Sequence, residues 1–147
     1  MTEEIKMNVL RPFGPSIAKM TMPTELVNNL NKYVDETILD VGKLEELDHG
    51  SKLAGNVNQE FKLEKDFIEK SGLLKFLAFG TSNWIKLSDQ KEIKKFEIQE
   101  SWIVRQFKNE YNPIHYHSGH ISGVGYLKTP KNFGEYQQSS KRVNRNG

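Results

Sequence analysis

The hydrophobic period of this chain changes near Asp89, and that change limits the folds open to it. Upstream, Leu26, Val27, Leu30, Val34 and Ile38 fall one, three, four and four residues apart, the stripe of a helix with one buried face. Pro23-Thr24-Glu25 opens this helix, predicted over Thr24 to Leu39 and closed by Gly42. A second helix is predicted from Glu64 to Leu87, with Phe67, Ile68, Leu74, Leu77, Ala78 and Trp84 on a broad apolar face and with Gly72 and Gly80 as places to kink or split. Downstream, Ile93, Phe96, Ile98, Trp102, Val104 and Phe107 mostly stand two apart between Lys, Glu, Gln and Arg, the period of a half-buried strand. Strands are therefore expected near Ile93 to Lys108 and Ile121 to Lys128, with Trp102, Val104, Val124 and Tyr126 largely buried. Helices first and strands later point to an α+β fold with helices packed on a mainly antiparallel sheet.

The remaining segments read as connections. Met7 to Ile17 is broken by Pro12, Gly14 and Pro15, which suits an edge strand or an extended arm. Leu47 to Gln59 is rich in Gly, Asn, Asp and Ser, so it reads as a loop in which His49 is a solvated residue. At 147 residues the chain is the length of one domain, 1–147, able to bury a core of its own.

Charge and composition exclude several function classes. The formal net charge is only +2, too small for a whole-protein field that attracts nucleic acid. From Lys128 onward five basic residues (Lys128, Lys131, Lys141, Arg142, Arg145) face one acid, Glu135, a short tail read as solvated. With no cysteine, disulfide scaffolds, thiolate zinc sites and thiol catalysis are out. The first twenty residues hold no apolar block of the kind a signal peptide needs, and no stretch approaches the ~18 apolar residues of a membrane span. A soluble, cytoplasmic protein is expected.

Three of the four histidines, His115, His117 and His120, lie within six residues of NPIHYHSGHISGVGYLKTP, Asn112 to Pro130. In extended chain, residues i and i+2 face the same way, so His115 and His117 project together while Tyr116 points to the other side. Two adjacent imidazoles suit a divalent transition metal, although such a pair can equally be an ordinary surface feature. Asn112-Pro113 marks a turn just upstream, and Gly123 and Gly125 fall within the following apolar run, where glycine permits close approach of a ligand or another backbone.

The stretch SWIVRQFKNEYNPIHYHSGHISGVGYLKTP resembles the metal-binding core of a family of 2-oxoglutarate/Fe(II)-dependent oxygenases of bacteria and marine T4-like phages. Members run from an aromatic-rich strand into a histidine pair and then into a strand like SGVxYLxxP, here Ser122 to Pro130. The resemblance extends upstream to DHGSKLAGNVNQEF and the helix after it. It implies a double-stranded β-helix, so the expected architecture is N-terminal helices packed on a partial jelly-roll or cupin-like sheet. It also implies an activity: Fe(II) held facially, 2-oxoglutarate as co-substrate, ascorbate as an accessory reductant, and hydroxylation of an unactivated C–H bond. His115 matches the first ligand of the family motif, and His117 stands where many related oxygenases carry an aspartate. His120 falls at a variable position, and Tyr111 and Tyr126 are candidates for contact with the co-substrate.

Such a site calls for a distal histidine and a later basic residue that pairs with the far carboxylate of 2-oxoglutarate. No histidine follows His120, Glu135 is the only later carboxylate, and Arg142 and Arg145 sit in the basic tail. Strand counting gives about five strands from Ile93 onward against the eight of a jelly roll. The expectation is thus the N-terminal part of the barrel, with strand edges left open to a second copy. Two other readings compete: a non-catalytic jelly-roll binding or viral accessory module, whose compartment would be an infected cell, and a different metalloprotein such as a cupin-type isomerase or a small zinc domain. The substrate is not encoded in any recognisable motif.

Overall fold

A computed structural model describes residues 5–131. Its elements run β1 (Met7–Leu10), β2 (Ile17–Met20), α1 (Thr24–Leu39), α2 (Val41–Leu47), a 3-10 turn (Gly50–Lys52), β3 (Gln59–Lys62), α3 (Lys65–Lys70), α4 (Leu73–Asp89) and β4 (Trp102–Arg105). Helices and small antiparallel sheets together make the architecture α+β, as the change of period predicted. The first segment, expected as an edge strand or arm, is a hairpin: β1 and β2 pair antiparallel with Met7 opposite Met20 and Leu10 opposite Ile17.

The helices follow the apolar stripes. Leu26, Leu30, Tyr33, Val34 and Thr37 are the buried residues of α1. This helix spans Thr24–Leu39 as predicted, and it stops there because Asp40 takes an extended conformation and its carboxylate caps α2 by accepting from the Lys43 backbone N–H at 3.0 Å. The second predicted helix is divided at Gly72, as its sequence allowed. Gly72 has φ +86°, a left-handed conformation that costs other residues about 1 kcal/mol or more, and Ser71 Oγ accepts from Leu73 N at the break. Gly80 instead stays inside α4, where its missing side chain leaves room for Met20 of β2.

Two buried groups form the core. Leu26 and Leu30 of α1 pack with Ile68, Leu73 and Phe76 of α3 and α4, and Tyr33 and Val34 pack with Phe61 of β3. Tyr33 stacks on Phe67 with centroids 3.9 Å apart and donates from its hydroxyl to Glu64 Oε2 at 3.0 Å. Lys43 Nζ reaches the same oxygen at 2.6 Å. Burial, chiefly, raises the Tyr33 pKa, and the Lys43 hydrogen bond, chiefly, lowers that of Glu64.

The strand predictions need correction. Of Ile93 to Lys108 only Trp102–Arg105 is strand, and Ile121 to Lys128 forms none. A two-residue period records which side chains share a face, but a strand also requires a partner for its backbone. β4 finds one in β3, with Gln59, Glu60, Phe61 and Lys62 opposite Arg105, Val104, Ile103 and Trp102. Residues 121–128 pair with no strand among the described residues. The predicted burial is corrected accordingly: Trp102 is half-buried, whereas Val104, Val124 and Tyr126 are exposed. Leu127 alone from that stretch packs against the core.

Candidate metal centre

The β3–β4 pairing sorts side chains onto two faces, because directly opposite residues share a side and neighbours alternate. Phe61 and Ile103 turn inward to Tyr33 and Val34 of α1. Glu60, Lys62, Trp102 and Val104 therefore turn outward. Over this outer face lies the loop 48–58, tied down by His49 N–H donating to Glu60 O at 2.9 Å and by the bridge of Asp48 to Phe61.

The same loop carries the turn that leads into the histidines. Asn56 and Tyr111 exchange backbone hydrogen bonds of 2.8 and 3.4 Å, and Glu110 accepts from Asn58 N and Nδ2 and from Phe107 N. Gly55 is closely packed at this junction: a Cβ there would press on the Asn112 side-chain amide and come within 3.1 Å of Glu60 Oε1, so those side chains would have to shift to admit one.

Beyond the turn, His115 and His117 lie side by side, their rings at 77° with centroids 4.6 Å apart and their Nε2 atoms 2.9 Å apart. Ile114 and Tyr116, which flank His115, are fully exposed, and both histidines are exposed too. His115 Nδ1 lies 2.7 Å from the carbonyl oxygen of Pro113, a bond only its N–H can make. That proton fixes the tautomer, leaving the His115 Nε2 lone pair bare, and the His117 Nε2–H donates to it when no ion is held.

The spacing suits a metal ion. Two nitrogens bound at ~2.0–2.1 Å and at a right angle to one another are separated by about 2.9 Å, the cis relation of a six-coordinate centre; a tetrahedral angle would place them at about 3.3 Å. The 2.9 Å between His115 Nε2 and His117 Nε2 equals that cis separation and is also the length of the hydrogen bond that joins the two rings. Among the described residues no group of three His, Asp or Glu side chains is placed to hold a metal. His120 is exposed and outside the pair, Glu110 is committed to the turn, and Glu135, Arg142 and Arg145 lie outside the described residues. Tyr111 is bound into the supporting bridge by its backbone, with its side chain exposed, and Tyr126 is exposed as well.

His49 is the clearest correction to the sequence reading. Expected in solvent, it is only 2% exposed, held in the 48–58 loop over the outer face of the sheet. Its Nδ1 has no hydrogen-bond partner, its Nε2 is 4.0 Å from a Glu100 oxygen, and its ring centroid is 6.0 Å from that of Trp102. Trp102 is in turn 5.6 Å from His117, ring to ring. Glu60 was also missed. Its carboxyl is buried, with Oε2 unpaired, and burial followed by the charges of Asp48 and Glu110 raises its pKa. Local composition hid both: His49 neighbours Trp102, far along the chain, and the polar, Gly-rich segment that lies against Glu60 reads as a loop with nothing to cover. The alternation that marked Trp102 as a strand residue was the one available signal that something must pack on its outer side.

Residues 100–146 match the protein-family model described as "Putative 2OG-Fe(II) oxygenase". The matched segment is about a third of the chain and includes β4, Trp102 and both histidines. No curated protein and no solved structure matches the chain. The match supports an oxygenase at family level, and with it Fe(II) and 2-oxoglutarate as the groups such a centre uses. No helix among the described residues is long and apolar enough to cross a membrane.

Proposed function

We propose that this chain carries the His115 and His117 portion of a 2-oxoglutarate/Fe(II)-dependent dioxygenase centre. The observation that carries the reading is the 2.9 Å Nε2 separation, with the His115 tautomer set by Pro113, inside the segment that matches the family model. His117 serves as a neutral nitrogen donor where related enzymes supply a carboxylate, so the centre has one negative charge fewer. Fe(II) and 2-oxoglutarate, held by His115 and His117 with the rest of the centre, would supply hydroxylation chemistry in which O₂ is the oxidant: 2-oxoglutarate gives up two electrons as it loses CO₂ to become succinate, and the substrate C–H bond gives up the other two. The chain's own part is to hold two donors at a right angle and keep the Nε2 lone pair of His115 available. Tyr111 and Tyr126 flank the segment as candidate contacts for the co-substrate, and ascorbate would keep the iron reduced. The full family fold, a jelly-roll sheet backed by α1 to α4, belongs to the same proposal, as do a cytoplasmic location and dimerisation through open strand edges.

Anaerobic titration tests it. Fe(II) followed by 2-oxoglutarate is expected to develop a visible absorption band that His115→Ala abolishes. Fe(II) binding that needs both histidines but gives no band with 2-oxoglutarate would favour a metal-binding module without oxygenase chemistry. Two protein donors hold iron weakly, so aerobic incubation of these 147 residues with Fe(II), ascorbate and 2-oxoglutarate is expected to yield succinate only at the metal-alone background. Succinate above it, lost in His115→Ala, would show that residues 132–147 or a second copy complete the centre.

A further inference from the structure

His115 and His117 are anchored by different means. His115 is fixed by its own turn through the Pro113 carbonyl. His117 has no hydrogen bond among the described residues except the one to His115, and its ring is exposed on the solvent side. Its one aromatic neighbour besides His115 among the described residues is Trp102, whose ring lies 5.6 Å away at 39°. Trp102 projects from β4 on the outer face of the sheet, and the buried ring of His49 supports it at 6.0 Å. His49 is itself pinned by its backbone bond to Glu60.

From this we infer that Trp102 and His49 are positioning residues for His117, acting on the metal site without touching the ion. The inference rests on the reading of His115 and His117 as metal donors. An exposed imidazole that turned freely would lose rotamer freedom on binding, and a ring already held against an indole loses less. Supporting residues around ligating histidines commonly change metal affinity by 10–100-fold. His49 fits this role better than that of a third donor, because Trp102 neighbours both its ring and that of His117.

The test uses the full chain with Ni²⁺ as an air-stable probe. In wild-type protein, proton NMR should show the His117 ring protons shifted upfield by the indole current, a signature lost in Trp102→Leu. Calorimetry should show Ni²⁺ affinity about tenfold weaker in Trp102→Leu, within about threefold of wild type in Trp102→Phe, and weaker by an intermediate factor in His49→Ala. With Trp84→Phe leaving Trp102 as the only indole, Ni²⁺ should quench its fluorescence. His117→Ala separates the two claims: if it leaves affinity unchanged, the metal reading itself fails. If it abolishes binding while Trp102→Leu and His49→Ala bind Ni²⁺ as wild type does, only the positioning role is overturned. Should Trp102→Leu fail to fold, the wild-type ring-current shift and the His49→Ala affinity decide, and absence of either effect overturns the inference.

Discussion

The two faces of the β3–β4 sheet have the same backbone and opposite surroundings. Inward, Phe61 is wholly buried against Tyr33 and Val34, with Ile103 beside it. Outward, Trp102 is half-buried and Val104 exposed, while Glu60 is covered by a loop that leaves one carboxyl oxygen unpaired. One face closes the core and the other carries Trp102, whose ring lies 5.6 Å from that of His117. Stability should therefore depend on the first face, and metal affinity on the second.

The largest expected effect is on the inner face. Phe61→Ala should destabilise the fold by about 3–5 kcal/mol, enough to abolish a single cooperative denaturant transition in a marginal protein. Its outward counterpart, Val104→Ala, should stay within about 0.5 kcal/mol. Equal losses at the two positions would break the distinction.

Glu60 sharpens it next. A carboxyl whose pKa is raised on folding keeps its proton longer in the folded state, so stability falls as pH rises from the ordinary carboxylate range through the raised value. Glu60→Gln should remove that decline and raise stability at pH 7 by about 1–2 kcal/mol, since a neutral amide is less costly to bury. Denaturant midpoints across pH 4 to 8 would show this, and a destabilised Gln variant would mean that the carboxylate is paired after all.

Glu64 gives the smallest effect and the opposite sign. Its pKa is lowered, mainly by Lys43, so its contribution is present above the ordinary carboxylate range and fades as pH falls through the depressed value. The pair is partly exposed, and Glu64→Gln should cost no more than about 1 kcal/mol at neutral pH and nothing in acid. Thermal melts at pH 7 and pH 3 compare the two.

Much of the inner face was legible in the sequence. The stripe from Leu26 to Ile38 marked α1 almost to the residue, and Gly72 marked the break between α3 and α4, because local spacing and backbone conformation decide both. β3 was not legible. Gln59 to Lys62 is four residues long and follows a run of Asn and Gly, and only its pairing with β4, more than forty positions later, makes it a strand. Burial of His49 was hidden in the same way, since its neighbour Trp102 is 53 positions on. For His115 and His117 the i, i+2 spacing indicated a shared side, but the close approach of the two rings also depends on the Pro113 carbonyl that orients His115, a contact the spacing does not encode. Residues 121–128 show the limit of that argument: their alternation is real, yet no partner pairs with them among the described residues.

The central claim is that His115 and His117 share one divalent ion. Anaerobic calorimetry with Fe(II) on wild type, His115→Ala, His117→Ala and the double variant tests it most directly. The account predicts one site in the wild type, a loss of at least about tenfold in either single variant, and little further loss in the double, because donors to one ion are not additive. Small, independent and additive losses, matched by His120→Ala, would contradict it and assign the histidines to nonspecific surface binding.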